Sequence, residues 1–217
     1  MAKTRWYQDR QREAFYRQAK KEGYRARSAY KLKQVNDKYM LVRKGDAVAD
    51  LGAAPGGWSQ VLTELVGPTG LVVGVDLQRI RPMQGATFLR GDFTLEATRD
   101  AVAEVMTKAG REKFDAVVSD MAPDMSGSYD LDQARSVHLS GLALAFAERH
   151  LKLGGGFCCK VFEGADFQEF REDVRRLFAK VYQFHPPASR KKSSEIYLVA
   201  KGFRGPLPEG AASDAEE

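Results

Sequence analysis

The chain has 217 residues, 43% of them hydrophobic, which is enough for one sizeable core and favours a single α/β domain. No apolar run approaches the length of a transmembrane helix, and the first residues lack the apolar stretch of a signal peptide, so we expect a cytoplasmic protein. The two cysteines, Cys158 and Cys159, are adjacent and cannot bridge each other without strain, which excludes a disulfide-stabilised domain.

Positive charge is concentrated at the start of the chain. Residues 1–34 hold eleven Lys or Arg against three acidic residues, a net charge of +8, so the remainder carries −3 of the total of +5. Aromatic residues lie among these basic residues, and such a segment can neutralise phosphates while its rings stack on bases. The alternative is an ordinary solvated helix face. We predict RNA contacts by the following residues: Arg25, Arg27, Lys31, Arg190, Lys191 and Lys192.

Helices and short apolar strands alternate along the chain. In order, we predict helices at about 9–21 and 27–37, a strand at 47–50, a helix at 57–66, strands at 71–76 and 86–89, a helix at 95–109, a strand at 114–119, a helix at 131–151, a turn at 154–156, a strand at 157–162, a helix at 166–179, and strands at 181–184 and 195–201. Continuous apolar strands separated by helices are typical of parallel sheets. We therefore predict a Rossmann-like α/β fold whose mostly parallel, seven-stranded sheet has helices on both faces.

A glycine-rich turn follows the first strand. Residues 50–58 read Asp-Leu-Gly-Ala-Ala-Pro-Gly-Gly-Trp, and glycines at such a turn let backbone N–H groups approach a nucleotide-like ligand. The spacing is neither the dinucleotide fingerprint nor the P-loop. A carboxylate at the strand end suits an amine or sulfonium and would repel phosphates, which predicts S-adenosylmethionine (SAM). The predicted contacts are Asp50, Gly52, Pro55, Gly56, Gly57 and Trp58.

Other strands also end in acidic residues. Asp76 closes the second strand, where it can accept hydrogen bonds from ribose hydroxyls, and Asp92 follows the third, where it can accept from an adenine amine beside the apolar wall of Phe93. Asp120 follows the fourth strand. Each acid alone is equally compatible with a helix cap or a solvated charge. Together with the glycine turn they predict one ligand site at the carboxyl ends of the strands.

Lys160 lies in an otherwise apolar strand, so we expect its ammonium group to have a partner or a functional role. It follows Phe157, Cys158 and Cys159, and the alternatives to a catalytic role are extension to solvent or pairing with a carboxylate. The histidines, His138, His150 and His185, lack the spacing of metal ligands, so no metal is expected.

Several segments in chain order resemble the FtsJ/RrmJ family of RNA ribose 2′-O-methyltransferases. They are Arg25–Leu32 (RARSAYKL), Asp50–Gln60 (DLGAAPGGWSQ), Ser119–Pro123 (SDMAP), Lys160–Phe162 (KVF) and Ser194–Ala200 (SEIYLVA). The resemblance covers roughly residues 8–203 and is closest to the branch that modifies large-subunit ribosomal RNA. One departure is Asp124, where related sequences often have Asn.

The resemblance implies a set of site residues and partners. Its catalytic tetrad falls on Lys31, Asp120, Lys160 and Glu195, and its SAM pocket on Gly56, Trp58, Asp76, Asp92 and Asp120. It implies a monomer that methylates a uridine ribose in the 23S rRNA of the 50S subunit with SAM and without a metal. The implied organisation is a basic RNA-binding arm over residues 1–38, a methyltransferase domain over 39–204 and a disordered acidic tail over 205–217.

The resemblance also implies a mechanism, in which Lys160 directs or accepts the proton of the attacking hydroxyl while Asp120 and Glu195 orient the lysines. Two other functions stay open. One is the same chemistry on tRNA or on an mRNA cap, and the other is a non-catalytic RNA-binding factor in ribosome assembly. A nicotinamide oxidoreductase is disfavoured because the glycine spacing is wrong.

Overall fold

The computed structural model describes residues 17–188 and 194–206. A helical segment over residues 17–22 comes first. The helices after it are α1 (Ala29–Tyr39), α2 (Gly57–Val66), α3 (Glu96–Lys108), α4 (Tyr129–His150) and α5 (Phe167–Leu177). The strands are β1 (Ala47–Leu51), β2 (Leu71–Asp76), β3 (Ala86–Arg90), β4 (Phe114–Ser119), β5 (Leu151–Phe162), β6 (Phe178–Phe184) and β7 (Glu195–Phe203). No helix in these ranges is long and apolar enough to cross a membrane.

The strands form one sheet in the order β3-β2-β1-β4-β5-β7-β6. The pairings from β3 to β5 are parallel, and β7 runs antiparallel to both β5 and β6. The predicted fold class, with a mostly parallel seven-stranded sheet, is therefore confirmed. Because the parallel strands all end at the same edge, the residues that follow β1, β2, β3 and β4 come together there.

Each face of the sheet has its own hydrophobic core. On one face Val102 of α3, Phe146 of α4 and Val174 of α5 pack against the strands. On the other face Leu32 of α1 and Leu62 of α2 pack against β1 and β7. The sequence places α1 within the predicted arm, yet its apolar side belongs to the core of the domain. A division at residue 38 stays a prediction.

The triple glycine does not form the predicted turn before β5. The strand already begins at Leu151, and its pairing with β4 shifts in register, since Phe114 lies opposite Leu151 whereas Ala116 lies opposite Gly156. The extra residues of β5 form a bulge. Gly154 has a φ of +78°, which favours glycine, and a Cβ on Gly155 would lie 2.8 Å from the Lys152 carbonyl oxygen. The glycines thus permit a kink inside a strand.

Two other boundaries differ from the sequence predictions. The helix predicted at 131–151 begins at Tyr129, and β6 begins at Phe178, three residues before the predicted start. Phe178 is buried against Phe157 and Phe203, and its extended backbone follows the end of the preceding helix at Leu177. Most of the predicted first helix and of the acidic tail lies outside the described residues.

Asp50 is a buried carboxylate at the centre of the sheet. It lies near the end of β1, is 1% exposed, and accepts a 2.6 Å hydrogen bond at Oδ2 from Ser59 Oγ, while its Oδ1 has no hydrogen-bond partner among the described residues. Burial raises the pKa of Asp50 to about 7, and the charges of Asp120 and Asp76 act in the same direction, against the bond from Ser59. The fold therefore holds a carboxylate that titrates near neutrality.

The bulge makes a prediction about stability. Gly155→Ala should lower the free energy of unfolding by about 1–3 kcal/mol, because the new Cβ must displace backbone rather than a flexible side chain. The matched control is Gly141→Ala on α4, where nothing lies within 4 Å of the added Cβ. That change should raise stability by roughly 0.5–1 kcal/mol, since alanine favours the helix. Urea denaturation of both variants measures this, and equal effects would contradict the structure.

Asp50 makes a prediction about pH. Between about pH 4 and pH 7 the folded chain holds the Asp50 proton that the unfolded chain has lost, so rising pH should lower the free energy of unfolding. Asp50→Asn should remove this decrease. In that pH range, the free energy of unfolding of the variant relative to that of wild type should rise by up to about 1.4 kcal/mol per pH unit.

The quantity to measure is the difference in the free energy of unfolding between wild type and Asp50→Asn, because His150 acts in the opposite direction. Burial lowers the pKa of His150 to about 4, so the unfolded chain binds a proton there below pH 6.5 and its contribution to stability rises with pH. His150 is common to both proteins and cancels. Urea titrations between pH 4 and pH 8 that show a constant difference would exclude the role of Asp50.

Candidate active site

Lys160 and Asp120 meet at the carboxyl ends of adjacent strands. Ser119, the last residue of β4, lies opposite Cys159 of β5, so the next residue of each strand is brought alongside the other. Lys160 Nζ donates to the backbone carbonyl of Asp120 at 2.7 Å and lies 3.2 Å from Asp120 Oδ1. Lys160 is only 8% exposed, so its charge is balanced inside the protein.

Lys31 and Glu195 form a second ion pair at the same edge of the sheet. Lys31 lies on α1, is also 8% exposed, and donates to a carboxylate oxygen of Glu195. Glu195 is the first residue of β7 and lies opposite Phe162 at the end of β5. All four residues of the predicted tetrad therefore lie at one end of the sheet, in two ion pairs.

Tyr197 connects the two ion pairs, and the sequence analysis missed it. Its hydroxyl donates to Asp120 Oδ1 at 2.6 Å, and Lys31 Nζ lies 5.6 Å from the centre of its ring. Tyr197 is fully buried, and burial together with the charges of Asp120 and Glu195 raises its pKa well above the usual value. Residues two apart on a strand share a face. Tyr197 comes two residues after Glu195, so the sequence could have predicted that both lie on the same side of the sheet.

A cleft of about 370 Å³ opens beside the tetrad. Its size is in the range of small-molecule sites. Of the predicted cofactor contacts, the following line it: Gly52, Asp76, Asp92, Phe93 and Asp120. The lining also includes three apolar side chains that the sequence analysis did not identify: Met121, Leu139 and Leu142. Three of the lining residues are carboxylates and none is Lys or Arg, so the cleft suits a cation better than a phosphate.

The carboxylates of Asp76 and Asp92 are held by short local hydrogen bonds. Asp76 accepts from the backbone N–H of Ala54 at 2.8 Å and of Gln78 at 2.7 Å. Asp92 Oδ1 accepts from the hydroxyl of Thr94 at 2.7 Å and from its N–H at 2.9 Å, and these bonds lower the pKa of Asp92. A carboxylate has about four acceptor positions, so both groups retain capacity towards a ligand.

The glycine turn divides into two parts with different surroundings. Gly52 faces the cleft with a φ of +71°, and a Cβ there would lie 2.2 Å from Met121 Cγ, so only glycine lets Met121 approach the turn. The other contacts predicted in this turn are not among the described residues that line the cleft: Asp50, Pro55, Gly56, Gly57 and Trp58. Trp58 instead donates through Nε1 to the Ser28 carbonyl at 2.9 Å and packs on Tyr197. Their contact with a cofactor stays a prediction.

The residues present fit the group that the sequence predicts. Gly52 brings backbone close to the cleft, Asp76 and Asp92 offer acceptors to hydroxyl and amine groups, and Phe93 supplies an apolar wall. Asp50, whose Oδ1 has no partner among the described residues, is the penultimate residue of β1. The three carboxylates of the lining suit the positively charged sulfonium and amine groups of SAM.

The predicted RNA contacts differ in their surroundings. The guanidinium of Arg25 donates to the carbonyls of Arg81 at 2.6 Å and Pro82 at 2.8 Å, so it joins the segment before α1 to the loop after β2. Arg27 is half-buried in the same segment. Arg190, Lys191 and Lys192 lie outside the described residues. Within the described ranges, no group of His, Cys, Asp and Glu side chains is arranged to hold a metal ion.

Comparisons with known proteins identify the relatives of this chain. The FtsJ-like methyltransferase family matches residues 24–203. The ribosomal RNA large subunit methyltransferase E of Methanothrix thermoacetophila is 52% identical over 191 residues, covering 88% of this chain and 72% of that protein. The protein of the same name from Chromobacterium violaceum is 48% identical over 199 residues, covering 92% and 96%.

A solved structure shows the same fold. The chain named as a ribosomal RNA methyltransferase of Plasmodium falciparum superposes with a TM-score of 0.75 at 27% identity, covering 84% of this chain and all of that one. The family match spans the glycine turn, both ion pairs and the lining of the cleft. The chain belongs to the FtsJ-like methyltransferase family.

Proposed function

We propose that this chain transfers a methyl group from SAM to the ribose 2′-hydroxyl of a uridine in 23S rRNA of the 50S subunit, in support of late ribosome assembly. One observation carries the proposal. Asp120 lines the acidic cleft and also contacts Lys160, so a cofactor site and a buried lysine meet at one carboxylate. The relatives named above, which are ribosomal RNA large subunit methyltransferases, support the choice of RNA.

The tetrad would prepare the hydroxyl for attack. A ribose hydroxyl is a poor nucleophile near neutral pH and must lose its proton as its oxygen bonds to carbon. Lys160 Nζ, held in place by Asp120, would contact that oxygen and either direct its proton to solvent as an ammonium or, as a neutral amine, accept it. Lys31, oriented by Glu195, would present a second cation to the RNA. SAM, when bound, supplies a methyl group on a positively charged sulfur.

The rest of the rate enhancement would come from positioning. Two reactants held in line can gain about 7–11 kcal/mol of barrier reduction from proximity. The cleft wall is rigid where this matters, because Asp76 and Asp92 are each fixed by two hydrogen bonds. We propose no role for a metal.

RNA binding would involve the basic surface before and on α1 and the cluster at residues 190–192. Arg27 is half-buried there, Lys31 would meet the RNA from its buried ion pair, and Arg25 would stabilise this surface through its bonds to the loop after β2. Phosphate neutralisation by such residues makes affinity fall as salt rises. We propose that the enzyme acts as a monomer in the cytoplasm.

Two alternatives are less well supported. The same chemistry on tRNA or on an mRNA cap would use the same tetrad, and the relatives' names favour ribosomal RNA. A non-catalytic assembly factor would have no need of two lysines held in ion pairs at 8% exposure, since burying charge is costly.

Lys160→Ala should lower the rate of methyl transfer by about 10²–10⁴-fold, because it removes the group that handles the proton. The measurement is transfer of labelled methyl from SAM to undermethylated 50S particles, free 23S rRNA and tRNA. Lys108→Ala is the control, since Lys108 is exposed on α3 and pairs with Glu104 of the same helix.

Three outcomes are decisive. Label in a 50S ribose with wild type and with Lys108→Ala, but not with Lys160→Ala, is the expected result. Label in tRNA alone would move the activity to the first alternative. An absence of label in every RNA, with SAM still bound, would favour the assembly factor.

Asp92→Asn should weaken SAM binding about 10- to 100-fold, the equivalent of a hydrogen bond to a charged group at roughly 1.5–3 kcal/mol. The amide oxygen can still accept from Thr94, so the loop should keep its conformation while the other acceptor becomes a donor. Isothermal titration calorimetry measures the change. Asp100→Asn, an exposed substitution on α3, should leave the affinity unchanged, and equal affinities in both variants would remove Asp92 from the site.

A further inference from the structure

Exposed apolar residues are concentrated in the segment that follows Asp120. Of the eight exposed large apolar residues in the described ranges, three fall within seven positions between β4 and the first turn of α4. They are Met125, Tyr129 and Leu131, exposed by 67%, 60% and 44%. Single exposed apolar residues are ordinary, but a group of them at a functional edge indicates contact with a ligand.

The segment that carries this group has a fixed conformation. Asp132, buried at 3% exposure, accepts at Oδ1 from the N–H and the hydroxyl of Ser126, both at 2.7 Å, and at Oδ2 from the N–H of Gly127. Arg135 donates to the carbonyl of Asp124. The exposed side chains are therefore displayed by an ordered loop, and little conformational entropy remains to be lost on binding.

The hydroxyl at the end of the Tyr129 side chain is also held by a hydrogen bond. Its hydroxyl donates to the carbonyl of Glu163 at 2.6 Å, and the N–H of Glu163 donates to the carbonyl of Ser194 at 2.8 Å. Glu163 follows β5, and Ser194 precedes Glu195. The ring of Tyr129 is thus attached to the backbone that joins the strands of Lys160 and Glu195, yet most of the residue faces solvent.

The carbonyl that holds the Tyr129 hydroxyl lies a few residues along the chain from Lys160. Three residues of strand separate Lys160 from Glu163, a rise of about 10 Å. A ring at that separation faces the neighbourhood of the target ribose rather than the ribose itself.

We propose that Tyr129 is a stacking platform for an unpaired RNA base next to the methylated nucleotide. The inference rests on the proposed RNA methyltransferase activity and deepens it, since it implies a target in a loop or in an opened helix. Proteins that read single-stranded RNA stack unpaired bases on aromatic rings. The hydroxyl of Tyr129 already has its partner, so the ring faces, rather than a polar end, are what it offers to a ligand.

The test compares substitutions that keep or remove the ring. Tyr129→Leu should raise the KM for RNA about 5- to 100-fold, the range that base stacking supports, and leave kcat at saturating RNA unchanged. Tyr129→Phe keeps the ring and should stay within about threefold of wild type on the same scale. Leu153→Ala, which removes an exposed apolar residue at the opposite end of the sheet, is the control.

A purely structural role for Tyr129 would give a different pattern. Its contribution would be the hydroxyl bond to Glu163, so the Phe and Leu variants would then be equally impaired, with changed melting temperature or SAM affinity. That pattern, or a Leu variant with wild-type KM, overturns the proposal.

The proposed function and this inference can fail separately. Methylation of RNA by wild type, with no effect of Tyr129→Leu, defeats only the stacking platform. If wild type methylates no RNA, fluorescence anisotropy with a labelled single-stranded RNA oligonucleotide still decides whether the ring binds bases. Stacking then requires weaker binding by the Leu variant than by the Phe variant, and equal binding excludes it.

Discussion

The candidate active site depends on two lysines that are buried together with their carboxylate partners. An ammonium group at 8% exposure has lost most of its hydration, so it must be paired and hydrogen-bonded. Lys31 meets this need with Glu195, and Lys160 with Asp120. Removing one partner would leave an uncompensated charge in the protein interior, so α1 and three strands are fixed relative to one another by electrostatics as well as by packing.

The antiparallel strand makes this pairing possible. If β7 ran parallel to β5, its first residue would lie at the amino end of the sheet, far from Lys160. Because β7 is reversed, Glu195 lies opposite the last residue of β5 and Tyr197 lies opposite Lys160. The one departure from a parallel sheet in this region is thus the feature that assembles the candidate site.

The features that can be predicted from the sequence are those set by residues that lie close together in the chain. The glycine turn, the strand-end acids and Lys160 are local patterns, and they indicate the fold and the three carboxylates of the cleft. Tyr197 is an apolar-looking residue in an apolar strand, and its role exists only through a hydrogen bond to a residue 77 positions away. Gly154–Gly156 was assigned to a turn because a bulge requires knowledge of the pairing with β4. Met121, Leu139 and Leu142 line the cleft only because the loop after β4 and the helix α4 fold back over it.

Asp120 belongs both to the cleft and to the ion pair with Lys160, so a substitution of Asp120 affects both. It lines the cleft, accepts from Tyr197 and pairs with Lys160. A substitution there would disturb the cofactor side and the lysine at once, so loss of activity would not separate binding from proton transfer. Asp92 and Lys160 each belong to one side, because Asp92 bonds within its own loop and Lys160 does not line the cleft. The shared carboxylate also gives a physical reason for the two sides to act together, since a cation in the cleft and the ammonium of Lys160 would interact with the same negative charge.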